Sequence, residues 1–263
     1  MPWTFSHPAA VLPLKCLCPR YLSFSGLLVG SLVPDFGYYI GNFGVARLGH
    51  TILGGVYVCL PAGLVLLILL ALLRDPLLFL LPRRHRDVVG HVLGASPRLT
   101  LRTLVILSAS IVIGAWTHIA WDAFTHDGRW GQARLPWLDD TAWTIGGVDI
   151  PVHAVLQHAS TLFGALVLVL GYRRLLRRFD TAHRPADTDM LGDRHRWNLI
   201  LTLVFAAASI AVVMAGIAAH GATFWDAVHR FAFAAAIHGT VAFVLLYTVT
   251  ALVIYGQMGR RVL

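Results

Sequence analysis

Five apolar runs, each about as long as the hydrocarbon core of a bilayer is thick, constrain this chain more than any other feature. They cover Thr51–Leu73, Leu99–Trp121, Val152–Tyr172, Trp197–Ala219 and Phe231–Tyr255. A helix of roughly 20 apolar residues spans a membrane. Because 57% of the residues are hydrophobic and only 13% are charged, a soluble globular domain is excluded. The sequence predicts an all-α, polytopic membrane helical bundle with about five transmembrane helices.

The segment Tyr21–Ile40 is apolar at its start, but Pro34 and Asp35 interrupt it. Such a break favours a half-embedded N-terminal helix over a sixth span. The opening residues lack the basic stretch and apolar core of a secretory signal, so we expect the N-terminus to be retained. We expect a single membrane domain over residues 1–263, in which residues 173–263 add a C-terminal helical pair to a part formed by residues 1–172.

The basic residues are distributed unevenly among the predicted loops. Fifteen arginines lie in the first and third loops, their margins and the C-terminal tail, against three in the second and fourth loops. This asymmetry predicts that the C-terminus and the first and third loops are cytoplasmic, and that the region before Thr51 faces outward with the other loops. The net charge of +8 then reflects topology and contact with anionic membrane lipid. Nucleic acid is not an expected partner.

The stretch THIAWDAFTHDG, residues 117–128, places His118, Asp122 and His126 at four-residue intervals around the end of the second span. On a helix this spacing puts three ionisable side chains on one face. Such a stripe suits a metal site, a proton path or a polar helix end. Asp122 can share an ion with His118 or bridge to a second ion about 3.5–4 Å away. His126 lies about 12 Å along the helix from His118, which favours a second ion or the substrate as its partner.

Polar residues from other segments fall at the same predicted level, the outward side of the membrane. They are His7 and Asp35 before the first span, His50 at its start and His158 near the start of the third. Ionisable groups in spans are costly and usually functional, and His with Asp binds Zn²⁺ and similar ions. We therefore predict a site for one or two divalent ions, Zn²⁺ first and Mn²⁺ as an alternative. The predicted ligands are His7, Asp35, His50, His118, Asp122, His126 and His158.

Four stretches carry a resemblance to a known family: PWTFSHPAAVLPL, GSLVPDFGYY, HIAWDAFTH and QHAST. From the N-terminus to about residue 170, the chain resembles an uncharacterised family of bacterial membrane proteins, domain-of-unknown-function family 4184. That family is similar to inner-membrane proteins named as membrane-bound metal-dependent hydrolases. The resemblance implies a multi-pass protein of the bacterial inner (cytoplasmic) membrane.

The order of the His and Asp residues also resembles that of the zinc-dependent phospholipase C and P1 nuclease group, all-helical enzymes with three metals. By order, that group's ligands fall on His7, Asp35, His50, His118 with Asp122, His126 and His158, and Asp122 takes the bridging role. This chain departs from the group at Leu162, where a carboxylate is expected. That group also uses the N-terminal amine freed by signal cleavage as a ligand. The resemblance therefore implies one or two metals here, not three.

The first functional hypothesis is a membrane-embedded metal-dependent hydrolase with an outward-facing site. Its main ion would be held by Asp35, His50, His118 and Asp122, with His7 on a second ion bridged by Asp122. Its predicted catalytic residues are Asp35, Asp122 and His126. The resemblance implies an amphipathic substrate with a phosphodiester or phospholipid headgroup. Two alternatives belong to other classes: a non-catalytic protein that binds or transports a metal ion or protons, and a haem protein.

Overall fold

The computed structural model describes residues 3–93, 100–179 and 191–259 of the chain. Four of the fifteen arginines counted for topology lie outside these ranges, namely Arg98, Arg184, Arg260 and Arg261. Leu99, the first residue of the second predicted span, also lies outside the described residues.

Helices make up most of the described chain. They are α1 Pro8–Leu17, α2 Phe24–Gly30, α3 Phe36–Tyr39, α4 Phe43–Gly49, α5 Leu60–Leu72, α6 Arg74–Phe79, α7 Arg83–Leu93, α8 Leu101–Thr125, α9 Trp130–Arg134, α10 Val152–Arg178, α11 Asp193–Ala219 and α12 Phe224–Gly259. Short 3₁₀ turns cover Thr4–Ser6, Val33–Asp35 and Pro136–Asp139. A π-helical turn, Gly55–Cys59, leads into α5.

Five stretches of the described chain are helical, long and apolar enough to cross a membrane. They are Gly55–Leu72, Leu101–Thr125, Val152–Arg178, Asp193–Ala219 and Phe224–Met258. The prediction of an all-α bundle with five membrane-spanning helices is confirmed. The observed helices are often longer than the predicted apolar stretches, because backbone hydrogen bonding continues into polar residues. Thus α8 ends at Thr125, one turn beyond Trp121, and includes Asp122 as well as His118.

The segment Tyr21–Ile40 is not one continuous helix. Ser23 caps α2 by accepting a hydrogen bond from the backbone amide of Gly26 (3.3 Å). Pro34 lies in the 3₁₀ turn that separates α2 from the four-residue helix α3. Each piece is therefore too short to span a bilayer.

A β-hairpin interrupts the second loop and was not predicted. Strands β1 Thr141–Ile145 and β2 Val148–Pro151 pair antiparallel. They are joined by Gly146 and Gly147, whose φ values of 60° and 79° are left-handed. A two-residue hairpin turn of this hand requires residues such as glycine at both positions. The Gly-Gly pair between two short runs was therefore the available sequence signal.

Contacts within the chain divide it into two compact units. The first contains Met1–Ile68 and Pro97–Arg173, and the second contains Leu69–Ser96 and Arg174–Leu263. All seven predicted metal ligands belong to the first unit. The expectation of a single membrane domain stays a prediction.

In the first unit, α2 packs against α8 at backbone distance. A Cβ atom added at Gly30 would lie 2.1 Å from the carbonyl oxygen of Ile111. A Cβ atom at Gly114 would lie 2.4 Å from the carbonyl oxygen of Leu27. Small residues permit such close approach between helices in a membrane. This packing brings Ser31, which follows α2, next to His118 on α8.

In the second unit, α11 and α12 pack along each other, and α6 adds polar contacts. The hydroxyl of Tyr247 on α12 donates to the carbonyl oxygen of Leu77 (2.8 Å). The buried side chain of Arg196 donates through Nε to the carbonyl oxygen of Phe79 (3.0 Å) and through Nη1 to Asp193 Oδ1 (3.3 Å). This arginine, counted above as a topology signal, therefore also has a structural role.

Candidate metal centre

Five of the predicted ligands meet in the first unit. They are His7 after the first 3₁₀ turn, Asp35 in the second, His50 after α4, and His118 and Asp122 on α8. Each of these side chains is at most 5% exposed. Residues from four separate stretches of sequence are thus brought together out of solvent. Burying several ionisable groups is costly unless they are paired or coordinate a metal.

Close packing of the N-terminal segments positions two of the histidines. A Cβ atom at Gly49, the last residue of α4, would lie 3.0 Å from the carbonyl oxygen of Pro34. This contact places His50 next to Asp35. The ring of His7 stacks on that of His118, with ring centroids 3.7 Å apart and an interplanar angle of 18°.

Asp122 lies between two pairs of histidines. Its Oδ2 atom is 3.4 Å from Nε2 of His50 and 3.4 Å from Nε2 of His118. Its Oδ1 atom is 3.6 Å from Nε2 of His7 and 3.5 Å from Nδ1 of His126. Each carboxylate oxygen thus faces a different pair. A carboxylate arranged in this way can bridge two adjacent ions.

Asp35 completes the side of the cluster that contains His50 and His118. Its Oδ1 atom is 3.2 Å from Nε2 of His50 and 3.7 Å from Nε2 of His118. Its other oxygen, Oδ2, accepts a hydrogen bond from the hydroxyl of Thr4 (2.6 Å), which in turn accepts one from the hydroxyl of Tyr39 (2.8 Å). These hydrogen bonds fix the carboxylate and leave Oδ1 directed at the histidines.

Backbone carbonyl groups set the tautomers of two histidines. Nδ1 of His118 lies 2.8 Å from the carbonyl oxygen of Ser31, and Nδ1 of His50 lies 2.7 Å from that of Ala46. Because a carbonyl oxygen can only accept a hydrogen bond, both rings carry a proton on Nδ1. Each Nε2 atom then points at the carboxylates. Metal-binding histidines are commonly oriented by such a hydrogen bond from the second ring nitrogen.

Three buried atoms of the cluster have no hydrogen-bond partner among the described residues. They are Nε2 of His7, Nε2 of His118 and Oδ1 of Asp122. Buried polar atoms are nearly always hydrogen-bonded, so three unpartnered atoms at one place need an explanation. Lone pairs directed at a bound cation would provide one.

Two sets of three residues within the described chain have the ligand atoms close enough to hold an ion. They are His7, Asp35 and His118, and His50, His118 and Asp122, all buried. The sets share His118, which offers only Nε2 because Nδ1 is hydrogen-bonded. Only one of the two sets can therefore use Nε2 of His118 at a time. The imidazole and carboxylate donors suit Zn²⁺ or Mn²⁺.

The electrostatics of the cluster depend on its two buried carboxylates. Burial disfavours the charged form of His50, but hydrogen bonds to Asp122 and Asp35 prevail and raise its pKa to about 9. Burial also acts to raise the pKa of Asp35, but the neighbouring His118 and His50 lower it overall. Burial, together with His118, lowers the pKa of His7 to about 3. Two buried carboxylates need compensating charge, which histidine protons or a divalent ion can supply.

His126 and His158 differ in their placement. The side chain of His126 is 17% exposed, and its Nδ1 atom faces Asp122. His158 is exposed and belongs to neither set of three. The buried residue before it, Gln157, lies next to His126, with 3.2 Å between the two Nε2 atoms. The role of His158 as a ligand stays a prediction.

Three further residues around the cluster were not predicted from the sequence, namely Thr4, Tyr39 and Gln157. Thr4 lies three residues before His7, and Tyr39 lies four residues after Asp35. Helix-like spacing from a predicted ligand was therefore the available signal for both residues.

Thr4→Val should weaken metal binding by about 10- to 100-fold, because it removes the hydrogen bond that orients Asp35. Competition with a chelator of known affinity measures this change in the purified protein. Thr202→Val is a matched control, because the Thr202 hydroxyl on α11 donates to a backbone carbonyl in the second unit. Equal metal affinity in the wild type and Thr4→Val would show that the hydrogen bond from Thr4 to Asp35 does not contribute to metal binding.

Comparison with known sequences gives a family but no characterised relative. Residues 1–256 match the family described as Domain of unknown function (DUF4184). The match extends past residue 170, where the resemblance in the sequence ended, and includes α11 and nearly all of α12. No curated protein and no solved structure shows significant similarity to the chain. The chain therefore belongs to the DUF4184 family of uncharacterised proteins.

Proposed function

We propose that this protein is a metal-dependent hydrolase embedded in the bacterial inner membrane, with its site on the outward side. The observation that carries the proposal is the position of Asp122. Its two buried carboxylate oxygens face two different pairs of histidines, at 3.4–3.6 Å. A carboxylate shared between two ions is a recurring feature of metal-dependent hydrolases.

The residues divide into two ligand sets around Asp122. Asp35, His50 and His118 would hold the main ion with Oδ2 of Asp122. His7 would hold a second ion with Oδ1. Zn²⁺ is the proposed ion, and Mn²⁺ is the alternative. A metal bound there would polarise the substrate and lower the pKa of water toward 7.

The remaining functions belong to residues of the chain itself. Asp122 supplies the charge that keeps two cations close together. Asp35 is held in place by Thr4 and Tyr39, so little reorganisation is needed when the site acts. His126 lies at the partly exposed edge, where it can bind the second ion or steady the leaving group.

The proposed substrate is amphipathic, with a phosphodiester or a phospholipid headgroup. Two considerations support it. The order of the ligands resembles that of the phospholipase C and P1 nuclease group, and the site lies at the end of an apolar helix, where headgroups and water meet. Substrate would then enter from the outer leaflet.

Reporter fusions should place the region around Trp143 outside the cytoplasm and the region around Arg178 inside it. The reason is the arginine asymmetry, with fifteen residues in the proposed inner loops and tail against three in the outer loops. Alkaline phosphatase and green fluorescent protein fusions at both positions measure the orientation. A cytoplasmic signal at Trp143 would contradict the outward-facing site.

Turnover should be tested with bis(p-nitrophenyl) phosphate and a short-chain phosphatidylcholine, using purified protein loaded with Zn²⁺ or Mn²⁺. The wild type should hydrolyse at least one of them, and His118→Ala should reduce the rate by at least about 100-fold. His195→Ala is the control, because His195 is exposed on α11 in the second unit. Stoichiometric metal without turnover of either compound would favour the alternative, a non-catalytic metal-binding or transporting protein.

A further inference from the structure

The buried cluster has a partly open edge. The side chain of His126 is 17% exposed, whereas those of the five other clustered residues are at most 5% exposed. Tyr38, half-buried, packs near the ring of His50 with centroids 6.0 Å apart. His126 is therefore the most exposed of the six clustered residues, and together with Tyr38 it forms what we call the open edge.

The chain just after His126 is held firmly against α8. Gly128 has a left-handed φ of 68°, and its amide donates to Oε1 of the buried Gln132 (2.6 Å). A Cβ atom at Gly131 would lie 2.6 Å from the carbonyl oxygen of Ala123. The ring of Trp130 contacts that of Phe124, with centroids 5.5 Å apart. Arg129 lies between these anchored residues, so its backbone position next to the open edge is fixed.

The charge of Arg129 acts on both residues of the open edge. Burial lowers the pKa of His126 to about 4, and Asp122 opposes this, while the positive charge of Arg129 adds to it. Burial raises the pKa of Tyr38, and Arg129 and Arg47 act in the opposite direction. Arg129 lies three residues after His126, directly before α9, and Arg47 lies three residues before His50, in the last turn of α4, so both cations come from residues next to this edge.

The guanidinium of Arg129 has no carboxylate partner and no side-chain hydrogen bond within the described ranges. It is half-buried rather than extended into solvent. Arginine presents a planar fork of N–H donors that fits a phosphate with two parallel hydrogen bonds. An anchored, unpaired arginine at the entrance to a metal site is well placed for that contact.

We propose that Arg129 binds a phosphate oxyanion at the open edge of the cluster, with Arg47 adding favourable charge. This inference deepens the proposed function and rests on it, because the oxyanion would belong to the substrate or to the product of that site. A lipid headgroup and free phosphate share this chemistry. Arg129 would then select anionic phosphate compounds over neutral amphiphiles.

Isothermal titration calorimetry on the purified full-length protein tests the inference with two probes, inorganic phosphate and monomeric dihexanoyl phosphatidic acid. Arg129→Gln should weaken binding of the preferred probe by about tenfold or more, and Arg47→Gln by roughly threefold. Arg129→Lys keeps the charge but loses the fork, so its affinity should lie between those of the wild type and Arg129→Gln. Arg134→Gln should bind as the wild type does, because Arg134 is an exposed arginine at the far end of α9.

Weakened binding of the lipid alone supports a headgroup source, and weakened binding of inorganic phosphate alone supports a free-phosphate source. Equal affinities in the wild type and Arg129→Gln, or no binding of either probe by the wild type, would overturn the inference. Metal content is measured in the same samples. Bound metal with unchanged phosphate affinity rejects only the role of Arg129, whereas absence of bound metal rejects the proposed function.

Discussion

Asp122→Asn is expected to reduce bound metal by at least about tenfold, with little change in expression or helix content. Asparagine keeps the size of the side chain but removes the negative charge that faces His50 and His118 on one side and His7 and His126 on the other. Its amide group can present an oxygen to only one of these pairs. Inductively coupled plasma mass spectrometry of the purified variant measures the loss.

The control for this result is Asp75→Asn, which changes the same functional group in the second unit. Asp75 is 69% exposed, and the neighbouring Arg74 lies 3.5 Å away as its ion-pair partner. Its substitution should leave metal content unchanged. If Asp122→Asn binds as much metal per chain as the wild type does, Asp122 is not a ligand.

Gly114→Leu is expected to destabilise the protein by about 3 kcal/mol and to lower bound metal with it. A Cβ atom at Gly114 already lies 2.4 Å from the carbonyl oxygen of Leu27 and 2.9 Å from the amide nitrogen of Ser31. A leucine would force α2 away from α8. The carbonyl group of Ser31 would then no longer orient the ring of His118. Thermal melting in detergent and metal content are the two measurements.

Gly171→Leu provides the matched control for this packing prediction. Gly171 lies on α10, another membrane-spanning helix, and nothing lies within 4 Å of a Cβ atom added there. The same substitution should therefore be tolerated at Gly171. Similar melting temperatures for the two variants would contradict the role assigned to the contact between α2 and α8.

The architecture could be predicted from the sequence because high hydropathy over about 20 residues is a strong signal for a membrane-spanning helix. All five spans were identified, and errors were confined to their ends, as at α8. The hairpin at residues 141–151 was missed because two short strands give a much weaker signal than a transmembrane helix. Its Gly146-Gly147 turn was the informative feature.

The cluster was predictable in part because the charge asymmetry predicts one membrane level for its members. His7, Asp35 and His50 come from short, broken segments whose geometry no periodicity predicts. Their convergence therefore needed the structure. On α10, residue type predicted His158, and the structure also brings its neighbour Gln157 beside His126.

The hydrogen bonds around the cluster were not predictable by the same means. Spacing from His7 and Asp35 marks Thr4 and Tyr39 only as residues near predicted ligands, and the fold is needed to show that the Thr4 hydroxyl binds Asp35 and the Tyr39 hydroxyl binds Thr4. The backbone carbonyl groups of Ser31 and Ala46 set the histidine tautomers. Because every residue has a carbonyl group, residue type does not reveal this role.

We expect the His–Asp cluster to bind divalent metal rather than to be a set of ion pairs between protonated histidines and aspartates. Elemental analysis of the purified wild-type protein, before and after incubation with Zn²⁺ or Mn²⁺, tests it directly. The expected result is one or two ions per chain that resist dialysis in the wild type and are lost in Asp122→Asn. A wild-type protein that carries no stoichiometric metal, and takes up none from either solution, would contradict it.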